Sequence, residues 1–464
     1  MPPKFGTSGL RGLVVELTDS LVSDYTYAFL KLCSPKSAVH VGRDLRLSSP
    51  QIASTVIRAI NDLGFTCVDH GELPTPALAL AAMSAGQAAI MVTGSHIPAD
   101  RNGLKFYLPS GEITKSDEAF ILAKLGAKPD FEATGDLVRE HNSIDVYAKR
   151  YVSAFGEKAL SGLRIGVYEH SSVARDTLVN VLSNMGADVV RLARADQFTP
   201  VDTEAVDVQT RHLFKSWCVE HVLDALVSTD GDADRPMVVD ERGAFVTGDV
   251  LGPIVAKALA ADTICTPISS NTAVDQIGFN KVLKTKIGSP FVIEAMEAIG
   301  GRVAGYEANG GFILGFEAHG PCGTLGPLMT RDCLLPIIAP LAMAKEKGIG
   351  LAQLVAMMPQ RFTAADRLQD IPTDTSQAFI RELTIDQELR TEIFGGQNEE
   401  ISTDTTDGLR VSFSDKSIIH LRSSGNAPEL RCYAEHNSAV HAETLVTTTL
   451  AMVKSFLNRS LSCA

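Results

Sequence analysis

The chain has 464 residues, 45% hydrophobic and 21% charged, with 42 Lys and Arg against 55 Asp and Glu and a formal net charge of -13. That length exceeds what one hydrophobic core supports and predicts about three or four domains. The acidic balance argues against nucleic acid and anionic lipid as partners, so any site for an anionic ligand has to be local.

Eight cysteines lie at positions 33, 67, 218, 265, 322, 333, 432 and 463. None forms a C-x-x-C pair, and the spacing fits neither a zinc site nor a disulfide framework, which points to reduced thiols. Residues 1–7 form no apolar signal core, and no window holds about 18 uninterrupted apolar residues. The expected location is cytoplasmic.

In chain order, the first loop is Phe5-Gly6-Thr7-Ser8-Gly9-Leu10-Arg11-Gly12, where three glycines and two hydroxyls surround Arg11. That composition suits a backbone loop approaching an anion closely, although it also describes a Gly-rich entry loop with a solvated arginine. Strand and helix then alternate. Ala38 to Val41 reads as a strand, Ser48-Ser49-Pro50 opens a helix that stops at Gly64, and Phe65 to Val68 is the next strand. Thr75-Pro76 opens another helix, and Ala88 to Val92 is a buried strand running into Thr93-Gly94-Ser95-His96-Ile97-Pro98. Alternation of this length predicts a largely parallel sheet covered on both faces, with polar loops at the strands' carboxyl ends where such sheets bind ligands. Ser95 is therefore the candidate nucleophile, with Asn102-Gly103-Leu104-Lys105 shortly beyond it.

After a polar stretch near 127–145 the pattern restarts, with strand Leu163 to Val167, a helix from about Val173 to Gly186, and strand Ala187 to Leu192. Leu223 to Thr229 is a strand entering Asp230-Gly231-Asp232-Ala233-Asp234-Arg235-Pro236. Three aspartates at alternate positions repel one another, and a hard divalent cation such as Mg²⁺ relieves that repulsion. An EF-hand would place Glu241 at its twelfth position, but Arg235 stands where glycine is required and Pro236 to Val239 reads as a strand. A third run has helix 249–261, strand Thr263 to Thr266, helix Ala273 to Ile277, strand Lys281 to Lys286 and helix Pro290 to Ile299, then the Gly-rich loop Gly305-Tyr306-Glu307-Ala308-Asn309-Gly310-Gly311. Its carboxylate and amide suit sugar hydroxyls.

The last hundred residues differ. A hairpin joins Leu409–Phe413 to Ser417–Leu421, Glu429 to Ala434 is a further strand, and a helix spans about Val440 to Leu457, an α+β domain suited to act as a lid. Between the strands lies Arg422-Ser423-Ser424-Gly425-Asn426-Ala427-Pro428, whose forked donors and backbone N–H groups suit a phosphate dianion.

Together, in this order, these stretches resemble the α-D-phosphohexomutase family, over nearly the whole chain. The resemblance implies an α/β fold of four domains around a central cleft, three similar α/β modules and a carboxyl-terminal α+β domain, with boundaries at 1–143, 144–246, 247–363 and 364–464. It implies a phosphoserine at Ser95 and Mg²⁺ held by that phosphate and by Asp230, Asp232 and Asp234. Lys105 would be general acid or base if its surroundings lower its pKa, with Arg11 and His96 beside the transferred group and Arg235 approaching it. Glu307 and Asn309 would bind sugar hydroxyls, and Arg422, Ser424, Gly425 and Asn426 the distal phosphate.

The implied reaction interconverts hexose 1-phosphate and hexose 6-phosphate through a hexose 1,6-bisphosphate that also serves as activator, in a protein that is a monomer or homodimer. The family's usual Ser-Gly-Thr-Glu-Pro is Ser424-Gly425-Asn426-Ala427-Pro428 here, and the sugar loop carries Asn309 and Gly311 where serine and histidine are common. The Glu-Ala-Asn-Gly-Gly form favours mannose phosphate, with glucose and glucosamine phosphates as alternatives. A sugar phosphatase and a phosphosugar-binding protein without catalysis are the other readings.

Overall fold

The computed structural model describes residues 3–6, 9–34, 37–127, 134–204, 206–395, 398–424 and 428–462. Internal packing divides the chain into two units. One comprises Met1–Cys265, Phe279–Leu283 and Gly288–Met357, the other Thr266–Gly278, Lys284–Ile287 and Met358–Ala464.

The first unit holds a mixed sheet with strands in the order Lys4–Phe5, Leu10–Leu13, Arg101–Leu108, Ala88–Val92, Ala38–Arg43, Thr66–Glu72 and Leu137–Arg139. Only part of it is parallel. Ala38–Arg43 runs parallel to Thr66–Glu72 and to Ala88–Val92, but Arg101–Leu108 returns antiparallel beside Ala88–Val92. A parallel return needs a crossover of a dozen or more residues, and the eight between Val92 and Arg101 allow only an antiparallel one. The expectation of largely parallel sheets is corrected accordingly.

The second sheet, in the order Asp188–Arg194, Arg164–His170, Ala225–Thr229, Pro236–Asp240 and Phe245–Val246, repeats this local plan. Ala225–Thr229 is parallel to Arg164–His170 and antiparallel to Pro236–Asp240. In the third sheet Val303–Tyr306 lies parallel to the strand beginning at Thr263 and antiparallel to Phe312–Leu314. Three times, then, a fully buried strand has a parallel neighbour on one side and turns directly into an antiparallel neighbour on the other. The three turns are the serine, aspartate and sugar loops.

Helices seat these sheets. Ser49–Asp62 has Pro50 in its first turn and buries Ile52, Ala53, Val56, Ala59 and Ile60, a stripe of period 3.6. Of these, Ile52, Ala53, Val56 and Ile60 join Val39, Val41, Ile90, Val92, Leu104 and Phe106 in one core. The segment expected as a helix at Ala273 to Ile277 is a 3-10 turn, Thr272–Gln276, capped by Asn271.

The second unit carries an entirely antiparallel sheet, Phe362–Gln369, Glu429–His436, Ile418–Ser423, Leu409–Phe413 and Glu400–Asp404. Val446, Leu450, Val453 and Leu457 of the last helix, Ala439–Ser462, pack on its core. Among the described residues no helix is long and apolar enough to cross a membrane.

Candidate active site

Ser95 is 1% exposed and has φ 53, a left-handed conformation that a non-glycine residue adopts only where its surroundings hold it. The holder is Arg46, itself fully buried. Its Nη1 donates to the carbonyls of Pro98 at 2.7 Å and Arg101 at 2.8 Å, and its Nη2 to those of Ser95 at 2.8 Å and Ile97 at 2.6 Å. Asp44 anchors Arg46 through Nε at 3.2 Å and also accepts from Thr93 and Ser49. A Cβ at position 94 would stand 2.6 Å from the Arg46 guanidinium carbon, so glycine is required there.

From this loop the Ser95 hydroxyl donates to Asp230 Oδ2 at 2.5 Å, and His96 Nδ1 lies 3.3 Å from Ser95 Oγ. Asp230, Asp232 and Asp234 are all fully buried, with one ligand oxygen from each within 4.8 Å of the others. Burial, then the charges of Asp232 and Asp234, pushes the Asp230 carboxyl well above the usual carboxylate range. Burial acts the same way on Asp232, but Lys105 and a hydrogen bond from Thr75 outweigh it and hold that carboxyl below the usual range.

Lys105 Nζ donates to Asp232 Oδ2 at 2.6 Å and Asp234 Oδ2 at 2.5 Å. Burial alone would depress its pKa, yet the two carboxylates win and raise it, so the ammonium stays charged. The opposite oxygens, Asp232 Oδ1 and Asp234 Oδ1, are buried without a hydrogen-bond partner among the described residues. Buried carboxylate oxygens left without donors are costly, and an all-oxygen set suits a hard cation such as Mg²⁺. The donor set therefore fits such an ion. Glu241 takes no part, because its Oε2 accepts from the Ala352 backbone N–H at the start of a helix.

Positive charge converges on the serine. Arg235 is 8% exposed, and its Nε and Nη1 have no hydrogen-bond partner among the described residues. Arg11 pairs by backbone with Gly103, in the strand that carries Lys105. Burial, then Arg235, Arg11, Lys105 and Arg331, drives His96 well below its ordinary value, so its ring is neutral. Arg235 Nε lies 3.9 Å from Asp234 Oδ1 and its Nη1 3.9 Å from Asp202 Oδ1, beyond hydrogen-bond reach, so guanidinium donors beside a neutral imidazole could meet an oxyanion.

In the sugar loop Glu307 and Asn309 are each 5% exposed. Asn309 Oδ1 accepts from the Gly311 N–H, and Thr203 donates to the Asn309 carbonyl. Arg331 joins this loop to the aspartates, with Nη1 on Glu307 Oε2 at 3.1 Å and Nη2 on Asp234 Oδ2 at 2.6 Å. Arg422 and Ser424 belong to the second unit. There Arg422 Nε donates to Asp407 Oδ2 at 2.9 Å, and Asp407 Oδ2 also accepts from the Ile287 N–H. Gly425 and Asn426 lie outside the described residues.

The structure thus brings together Ser95, His96, Lys105, the three aspartates and, through Arg331, Glu307. Sequence reasoning missed Arg46 and Arg331. The signal available for each was charge at the edge of an apolar segment: Asp44-x-Arg46 follows a buried strand, and Arg331-Asp332 interrupts the run from Leu328 to Leu335.

Comparison with known proteins agrees with this geometry. Four family models match in succession: phosphoglucomutase/phosphomannomutase alpha/beta/alpha domain I over residues 2–131, domain II over 145–243, domain III over 247–362, and the C-terminal domain over 386–451. The chain is 44% identical to a phosphomannomutase of Sinorhizobium fredii, covering 98% of this chain and 99% of that one. It is also 44% identical to a phosphomannomutase of Salmonella muenchen, covering 98% and 96%. A solved phosphoglucomutase/phosphomannomutase family protein from Burkholderia thailandensis has the same fold, with a TM-score of 0.77 at 22% identity over 97% of both chains.

Proposed function

This chain belongs to the phosphoglucomutase/phosphomannomutase family, and we propose that it is a phosphomannomutase interconverting mannose 1-phosphate and mannose 6-phosphate. The observation that carries the reading is the Ser95 hydroxyl on Asp230 Oδ2, at the meeting of the serine and aspartate loops. Full-length identity to two phosphomannomutases supports the choice of sugar.

In the proposed reaction a phosphoryl group carried by Ser95 Oγ passes to the free hydroxyl of the sugar phosphate. The Oγ–P bond breaks, a sugar O–P bond forms, and the hydroxyl's proton ends on Ser95 Oγ. The bisphosphate turns over and returns its other phosphate to Ser95. Asp230, Asp232 and Asp234 would hold Mg²⁺, which when bound neutralises charge on the phosphoryl oxygens. Arg235 and Arg11 bind those oxygens, and Arg46 keeps Ser95 aimed. Lys105, held as the ammonium, is a donor in this arrangement. Glu307 and Asn309 read the sugar hydroxyls, and the loop at Arg422 and Ser424, with Gly425 and Asn426, takes the other phosphate.

The test incubates the full chain with mannose 1-phosphate, Mg²⁺ and a trace of mannose 1,6-bisphosphate. Mannose 6-phosphate is the expected product. Release of inorganic phosphate instead identifies a phosphatase, and binding without turnover identifies a non-catalytic phosphosugar protein. A larger kcat/KM for glucose or glucosamine phosphate overturns the sugar assignment.

A further inference from the structure

Arg331 lies in the strand Leu328–Asp332, outside all three loops, and is 3% exposed. One planar guanidinium spans two of those loops, placing Nη2 on Asp234 Oδ2 at 2.6 Å and Nη1 on Glu307 Oε2 at 3.1 Å. A third carboxylate, Glu112, lies 3.9 Å from its Nε and is held in turn by Ser289 at 2.6 Å and Thr330 at 3.0 Å. Buried carboxylates this close survive only with a cation among them. Room for that cation depends on Gly311, since a Cβ there would stand 2.8 Å from Arg331 Cδ and Cγ.

We propose that Arg331 is a positioning residue that couples the cation site to the sugar loop. Together with Lys105, which donates to the same oxygen at 2.5 Å, it holds Asp234 through Oδ2 and leaves Oδ1 for a metal ion, and with its other arm, which Lys105 lacks, it sets the Glu307 carboxylate at a fixed place relative to that ion. Outer partners of metal-ligating carboxylates govern affinity in this manner. A lysine could carry the charge but not the two-armed geometry. The inference deepens the mutase reading and rests on it, because it makes cation binding and sugar recognition interdependent.

The experiment measures Mg²⁺ binding to the full chain by calorimetry, without turnover. Arg331→Lys is expected to weaken Mg²⁺ binding roughly tenfold or more and to raise KM for mannose 1-phosphate. Glu307→Gln is expected to weaken Mg²⁺ binding severalfold when Arg331 is present and to have no effect in the Arg331→Lys background, the non-additivity that marks a shared contact. Wild-type affinity in Arg331→Lys, or an equal effect of Glu307→Gln in both backgrounds, overturns the proposal. Should Arg331→Lys fail to fold, Gly311→Ala displaces the guanidinium without removing its charge and must weaken Mg²⁺ binding as well; unchanged affinity there also overturns it. Coupled Mg²⁺ binding in a wild-type protein that makes no mannose 6-phosphate would refute the mutase reading and leave the role of Arg331 standing.

Discussion

The Ser95 hydroxyl and the Asp230 carboxylate, 135 residues apart in sequence, meet at 2.5 Å. Each sits where a buried strand turns into its antiparallel neighbour, one in the first sheet and one in the second. The hydroxyl keeps this aim only while something holds its loop, and Arg46 does so through four carbonyls.

Removing that hydroxyl is expected to abolish turnover. Ser95→Ala keeps the backbone demand of the left-handed position, so folding should be unchanged while kcat/KM falls by at least about 10³-fold. A variant retaining near wild-type turnover with mannose 1-phosphate would remove Ser95 from the reaction.

Arg46 should matter to stability as much as to rate. Arg46→Met leaves Asp44 buried without its cation and four carbonyls without donors, an expected loss of about 3–5 kcal/mol in denaturant unfolding. Arg46→Lys should recover little, because one ammonium cannot serve four acceptors on both sides of the Ser95 loop. An unfolding midpoint equal to wild type in either variant would contradict this account.

Magnesium should stabilise the fold by mass action, since the triplet is assembled only in the native state. At a concentration of 100 Kd the gain is about 2.7 kcal/mol, readable as a rise in Tm. Asp232→Asn should abolish the rise; a rise of the same size in that variant would place the ion elsewhere.

Acid should destabilise the protein partly through His70. Its ring is 7% exposed and bonded to His40 at 2.7 Å and Ser143 at 2.9 Å. Burial, reinforced by His40, lowers its pKa from 6.5 to about 4. The unfolded chain therefore binds the proton first. Stability is full above pH 6.5 and drains as pH falls from 6.5 toward 4, by at most about 3 kcal/mol from this group. In His70→Gln the acid limb of the stability profile should flatten, and an unaltered limb would assign the loss to the other buried histidines.

The Arg422 loop should act on binding. Arg422→Met is expected to raise KM for mannose 1-phosphate at least tenfold, the value of one charge-assisted phosphate contact of about 1.5–3 kcal/mol, with a smaller effect on kcat. An unchanged KM would detach this loop from the substrate.

Much of this was legible in the order of residues. Gly, Pro and short apolar runs marked the strands ending at Val92 and Thr229, because turn chemistry and burial are local properties, while the four-residue strand Val303–Tyr306 was read as part of its Gly-rich loop. The Asp230, Asp232 and Asp234 spacing marked a candidate cation site, because like charges at alternate positions gain from an outside partner wherever the chain goes. The antiparallel return was written in the sequence too, since the eight residues between Val92 and Arg101 are too few for a parallel crossover, although alternation of strand and helix alone suggests a parallel sheet.

Arg331 was not visible as a site residue. Its partners, Asp234 and Glu307, lie 97 and 24 residues away, and nothing local says which carboxylates will share a buried guanidinium. The state of Lys105 was likewise undecided. Burial and two aspartates pull its pKa in opposite directions, and only their distances in the folded chain settle that the carboxylates win. Local chemistry thus chose the functional groups, while the balance of charge among them required three sheets to be folded against one another, since Coulomb energies depend on separations that sequence spacing does not encode.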